Sequence, residues 1–258
     1  MIVNPAGPIV VRMDQEPDGL RLLRVDLDTL FVMSAAGRIV RQNDRDRSPG
    51  PRAFFIGGPD GNLARVRHDL DDRIAASVLE AAAKEPPWRD FNAMPECASR
   101  MVELLSAQPE NVSAALIYRL PNDVSYANQA TVVRDDSQDG RELLARFAGR
   151  GMPQYMQDAG FKSVADLWEP WCAALDGDDV ASMCYAARLG DKGAEAGVYT
   201  FSKYRGRGLA AAVTAAWASL PALKGRALFY STSTSNRSSQ SVAARLGLRL
   251  IGASFSVA

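Results

Sequence analysis

The residues of this chain best placed to do chemistry are Lys203-Tyr204-Arg205-Gly206-Arg207-Gly208-Leu209-Ala210. They lie between an expected strand, Glu195–Phe201, and an expected amphipathic helix, Arg207–Leu220. A strand that passes through a glycine turn into a helix leaves unpaired backbone N–H groups aimed at one spot. The positive end of the helix dipole adds to them, so the place suits a phosphate. Gly206 and Gly208 let backbone approach a ligand with no Cβ between, and Arg205 and Arg207 add positive charge.

Three phosphate loops compete for this pattern. A Walker loop needs Lys-Ser or Lys-Thr after its last glycine, and neither follows Gly208. A dinucleotide fingerprint needs a third glycine and an acidic residue further along a βαβ unit. Here Ala210 and Ala211 follow, and too little chain remains for a doubly wound sheet. The pyrophosphate arm of coenzyme A is left.

With those residues in view, the chain resembles the GNAT superfamily of N-acetyltransferases, whose signature is [QR]-x-x-G-x-[GA] at a strand-to-helix turn. K-Y-R-G-R-G matches it except at Lys203. Downstream, Ala227–Thr232 reads as the next strand, Asn236 stands where the family places an asparagine beside the pantetheine, and Val242, Leu246 and Gly247 reproduce its last helix and glycine cap. Trp171–Leu175 and Val180–Leu189, around Asp176-Gly177-Asp178-Asp179, look like its second and third strands. The likeness is specific over 169–258, weak over 113–168 and absent before that. It implies a mixed, mainly antiparallel sheet flanked by helices, an α/β (α+β) fold, over 108–258, with an additional α+β region of unassigned role over 1–107.

The resemblance also implies a division of labour. Backbone N–H groups from Gly206 through Arg207, Gly208 and Leu209 to Ala210 cradle acetyl-CoA. Those on Val198, Tyr199 and Thr200 polarise the thioester carbonyl. An amine acceptor is protonated at neutral pH, so some group must take its proton. Glu195 stands near the family's basic carboxylate but one residue out of register, and Glu169 is a second candidate. Many members carry a tyrosine seven residues after the asparagine, proposed to protonate the departing thiolate; here that position is Ala243. Tyr230, Ser235, Ser238 and Ser239 are the replacements in reach. A thiol of pKa about 8.5 leaves tolerably well without such an acid.

The elements that must hold these residues show helical and strand periods. Leu209, Val213, Trp217 and Leu220 give the loop's helix one apolar stripe, and Asn236 or Ser238 can cap the last helix. Gly140–Ala148 and Met152–Ala159 read as two short helices split at Gly149–Gly151, the pair that covers the acceptor groove in the family. Ala114–Leu120 and Gln129–Val133 read as strands. Earlier in the chain, Leu20–Leu27, Thr29–Met33 and Arg38–Gln42 suggest strands, and Asn43–Pro51 suggests an exposed loop. Ala53–Ile56 and Leu63–Val66 suggest a hairpin, with helices at Asp71–Lys84 and Pro95–Ala107. A boundary is expected near Gln108–Asn111. The first 107 residues fit a lid, a degenerate second copy of the fold or a homodimer surface, and their composition does not choose.

Composition bounds the partners. The 258 residues are 47% hydrophobic and 23% charged, and 30 basic residues cancel 30 acidic ones. That balance argues against nucleic acid and lacks the bias expected for a strongly charged macromolecular substrate, so the acceptor that the resemblance implies is a small-molecule amine. The N-terminus, Met1–Pro5, lacks the pattern of a leader, and the longest apolar run, Leu209–Leu220, is too short to span a bilayer. Cys97, Cys172 and Cys184 have no metal-ligand spacing and suit reduced thiols in a cytoplasm. His68 reads as structural, and Asp176–Asp179 as a solvated turn rather than a metal site. The expected activity is acetyl transfer from acetyl-CoA to a small amine. Its alternatives are a non-catalytic acyl-CoA-binding module and a transferase of longer acyl chains.

Overall fold

The computed structural model describes residues 18–258; the leader reading of Met1–Pro5 lies outside them. The first element corrects an expectation. Leu20–Leu27 is not a strand but the middle of a helix, α1 (Asp18–Leu30). Leu23, Asp26, Leu27 and Thr29 are buried, the three-to-four-residue recurrence of a helix face rather than the alternation of a strand. A two-stranded ribbon follows, β1 (Phe31–Met33) against β2 (Ile39–Gln42), then the hairpin β3 (Ala53–Gly58) and β4 (Gly61–Val66). Next come α2 (Asp72–Ala83), capped by Asp71, and α3 (Cys97–Leu104).

The remainder runs β5 (Val112–Leu120), β6 (Thr131–Arg134), α4 (Gln138–Arg150), α5 (Gln154–Gln157), β7 (Trp171–Asp176), β8 (Asp179–Leu189), β9 (Gly193–Thr200), α6 (Leu209–Ala218), β10 (Ala227–Ser233), α7 (Arg237–Arg245) and β11 (Arg249–Val257). Gly149 stays helical inside α4, and the break falls at Gly151, whose φ of 79° suits glycine. The helix of the glycine loop starts two residues later than expected, at Leu209.

Nine strands form one sheet in the order β4-β3-β11-β5-β10-β9-β8-β7-β6. Among the described strands every pairing in this sheet is antiparallel except β9 with β10. The expected boundary near Gln108 falls in the connection between α3 and β5, and the sheet runs across it, because β3 pairs with β11 from Ala53↔Val257 to Gly57↔Ala253. Strand alternation sorts the core between the two faces. Phe229 packs with Leu23 and Leu27 of α1, whereas its neighbours Leu228 and Tyr230 pack with Val213 and Trp217 of α6 and Val242 of α7. Phe55, Phe255 and Val257 pack with Val78 of α2 and Met101 of α3.

Candidate active site

The parallel pair β9/β10 is short. Ala227, Leu228 and Phe229 register with Gly193, Ala194 and Glu195, and the strands then part. Beyond Glu195, β9 continues to Thr200 paired only with β8, while Tyr230–Ser233 of β10 pair only with β5. The result is a V whose apex is at Glu195 and Phe229 and whose inner edges carry backbone groups with no strand partner. At about 3.3 Å per residue, the arm from Glu195 to Thr200 is about 17 Å long.

The glycine loop closes the far end of that arm. Gly206 and Gly208 have φ of 79° and 76°, the left-handed region that favours glycine. Gly208 is the N-cap of α6 and no side chain caps this helix, so its first-turn N–H groups keep their donor capacity. A Cβ on Gly206 would meet nothing within 4 Å, whereas one on Gly208 would lie 2.8 Å from the Tyr126 hydroxyl. Asn128 donates through Nδ2 to the Arg207 carbonyl at 3.2 Å, so the 121–130 connection stands over one side of the loop. Arg205 reaches back to the Thr200 carbonyl at 3.3 Å. The β7–β8 turn does more than meet solvent. Asp176 takes a hydrogen bond from Arg207 at 2.9 Å, and Asp179 one from the Tyr204 hydroxyl at 2.6 Å. These bonds fix the loop and leave Arg207 partly neutralised. An open, uncapped, glycine-lined helix start fits the diphosphate of coenzyme A.

At the apex the other face carries acid. Ala194 and Ala196 pack on the α6 side, so Glu195 projects toward α1. It lines a cleft of about 540 Å³ together with Asp26, Ser231, Ser233, Ser254 and Ser256. Burial raises the Glu195 carboxyl above its ordinary range, while a hydrogen bond from Ser231 and the charge of Arg188 pull it part of the way back. Arg188 faces Glu195 across the β8–β9 ladder and donates to Gln42 Oε1 at 2.6 Å. Asp26 is fully buried, and burial followed by the Glu195 charge pushes its carboxyl well above the usual value. Pro49, Gly50 and Pro51 also line this cleft, so the end of the expected exposed loop is a wall of it.

Residues 172–253 match the family model described as GNAT acetyltransferase, 82 of the 258 residues. That segment is a GNAT acetyltransferase domain. No curated protein matches the chain. Among solved structures it is similar to a putative GNAT acetyltransferase from Novosphingobium aromaticivorans, with 22% identity, 57% of this chain, 63% of that one and a TM-score of 0.41. This chain thus spans just under two thirds of that relative. A GNAT acetyltransferase from Colwellia psychrerythraea has 13% identity over 76% of each chain, with a TM-score of 0.43. A tandem GNAT protein from the clavulanic acid biosynthesis pathway has 13% identity over 91% of this chain and 87% of its own, with a TM-score of 0.44.

The sequence-derived residues take distinct places. Gly206, Arg207, Gly208, Leu209 and Ala210 form the loop and first turn, and Val198, Tyr199 and Thr200 lie on the unpaired arm of the V. The Tyr199 ring packs against Phe161 and Phe201, with centroids at 5.7 and 5.0 Å. Asn236 caps α7, its Oδ1 accepting the Ser239 N–H at 3.0 Å. Tyr230 faces away from Glu195, toward α7, where its hydroxyl pairs with Ser239 Oγ at 2.7 Å and burial pushes its pKa up to about 12. Ala243 lies on the buried face of α7. Glu169 and Trp168 border a separate cleft of about 680 Å³ that Glu195 does not line, and Trp171 is core. His68 is held on the Ile39 carbonyl through Nδ1 at 3.2 Å. Sequence reading did not single out Asp26, Arg188, Tyr126 or Asn128. Only Asp26 left a signal, as an acid set among Leu23, Leu27 and Leu30 at helical spacing.

Proposed function

We propose that the protein transfers an acetyl group from acetyl-CoA to the amine of a small molecule, with Glu195 as the base. The observation that carries this reading is the V itself, which leads from an uncapped glycine loop to a part-buried carboxyl of raised pKa at the apex. Bound along the arm, acetyl-CoA supplies a thioester carbonyl open to attack by an amine. The loop N–H groups from Gly206 to Ala210 hold negative charge, and backbone donors of Val198–Thr200 face the acyl end of the arm. Glu195, ionised, accepts a proton from the acceptor nitrogen; a raised pKa brings its basicity nearer the operating pH. Tyr230 is tied to Ser239 and held neutral, so thiolate release relies on the modest basicity of a thiol. A catalytic role fits the raised carboxyl better than a purely binding module does.

The test is thermal stabilisation by CoA, acetyl-CoA, NADH and ATP side by side, followed by thiol release with a panel of primary amines. A ligand at 100 times its Kd adds about 2.7 kcal/mol, enough to move the midpoint visibly. CoA species are expected to stabilise and at least one amine to release thiol. Equal stabilisation by NADH, or thiol release indifferent to every amine, overturns the reading.

A further inference from the structure

Asp26 has no ordinary structural explanation. It is 0% exposed, neither carboxyl oxygen has a hydrogen-bond partner, and it lines the same cleft as Glu195. A buried polar group without a partner costs on the order of 1–3 kcal/mol, so a site that keeps one is explained by a ligand that supplies the missing donor. The rest of the cleft says what kind of donor. Its volume of about 540 Å³ is in the range of small-molecule sites. Ser231, Ser233, Ser254 and Ser256 bring hydroxyls, of which Ser233 is paired with Ser235 at 2.9 Å and Ser256 with Ser113 at 2.8 Å. Leu30, Phe31, Phe54 and Ile117 supply apolar wall. The lining cation, Arg67, is already engaged by Asp69 at 2.7 Å and the Gly50 carbonyl at 3.0 Å. Arg188 approaches Glu195 from β8 but is held by Gln42.

We propose that Asp26 and Glu195 together seat the ammonium group of the acceptor, which is a primary amine with an uncharged body that meets both the serines and the apolar wall of the cleft. This rests on the acyl-transfer reading for the V, and it adds a specificity residue from α1, outside the segment that matches the family. Two neighbouring carboxyls do not both ionise at low cost, so the pair keeps one proton and one negative charge, which complements a monocation. In turnover the Glu195 carboxylate takes one ammonium proton and leaves the nitrogen lone pair free. A carbon–nitrogen bond forms as the carbon–sulfur bond breaks. The second proton lost by nitrogen neutralises the released thiolate, and Glu195 returns its own proton to water. An anionic acceptor is excluded by the same pair.

The probe is 2-(2-aminoethoxy)ethanol, compared with diethylene glycol, which keeps the polar body and lacks the charge. Both are titrated into the full-length protein while the side-chain carboxyl ¹³C signals of Asp26 and Glu195 are followed. The amine is expected to shift both signals and lower the apparent pKa of the pair, and the diol to leave them in place. Asp26→Leu removes the acceptor and is expected to weaken amine binding at least about tenfold, the loss of a hydrogen bond to a charged group, with CoA affinity unchanged. Equal responses to amine and diol, or unchanged amine affinity in the variant, overturn the proposal. If Asp26→Leu does not fold, the wild-type carboxyl signals decide alone. Failure of CoA to bind the wild type would instead strike the acyl-transfer reading, and the amine titration would still decide the seat.

Discussion

At the scale of single residues the chain concentrates its unusual energetics on a pair of carboxyls. Glu195 sits where two strands part, raised by burial and restrained by Ser231 and Arg188, with Asp26 of α1 facing it. In the proposed role of base it must be ionised, so activity is expected at pH values above its pKa and is expected to disappear as the pH falls through it. Because that pKa is raised, the acid limb of kcat/KM is expected above the ordinary glutamate value of about 4.3. Glu195→Gln removes the acceptor for the proton and should lower kcat/KM by about 10²–10⁴-fold, while CoA binding stays within a factor of about two. The acid limb should vanish with it. A pH–rate profile of wild type and variant checks both points. An unchanged acid limb in the variant would assign the titration to another group, and Asp26 is the first to examine.

At the scale of elements, glycine chemistry explains what could be read in advance. Gly206 and Gly208 are needed because the chain turns through positive φ just before a helix, and that requirement is written in the residue type itself. The cap of α7 by Asn236 was legible for a similar reason, since a short amide before a helix takes up a first-turn N–H. α1 was not legible as a helix: Leu23, Val25 and Leu27 alternate with Arg24 and Asp26 as in a strand, while the face that decides, Leu23, Asp26, Leu27 and Leu30, has a charge within it. A carboxylate in an apolar stripe makes sense only once Glu195 is known to stand opposite, and that depends on strand order, not local pattern. The loop gives a clean test. Gly206→Glu puts an anion into open space at the helix start, so sterics are mild and the left-handed backbone costs about 1–2 kcal/mol. The variant is expected to melt a few degrees lower and to lose CoA binding by calorimetry. Retained affinity would place the diphosphate elsewhere.

At the scale of the whole molecule the question is whether residues 108–258 can stand alone. The sheet says what separation removes. β3 covers the edge of β11 that carries Phe255, while α1 covers Phe229, Ile117 and Ile251. Burying such a side chain contributes about 1.5–3 kcal/mol, so four of them forfeit roughly 6–12 kcal/mol. A whole domain is stable by only about 5–15 kcal/mol. Removal of the first 107 residues would also bare an unpaired strand edge beside an apolar face, the usual template for aggregation. The full chain is therefore expected to unfold in one calorimetric transition, with calorimetric and van't Hoff enthalpies in agreement. A chain beginning at Gln108 is expected to be insoluble or to melt without cooperativity. Leu27→Ala, a cavity under the same face, should cost about 2–5 kcal/mol in the full-length protein and shift that single transition as a unit. Two separable transitions, or a truncated chain that melts cooperatively and binds CoA, would show that the N-terminal elements are an accessory. A single transition would mean that the α1 carboxyl and the apex carboxyl are held by the same cooperative structure. In that case acceptor affinity should hold across core variants that stay folded at the assay temperature and fall only with the unfolded fraction in those that do not.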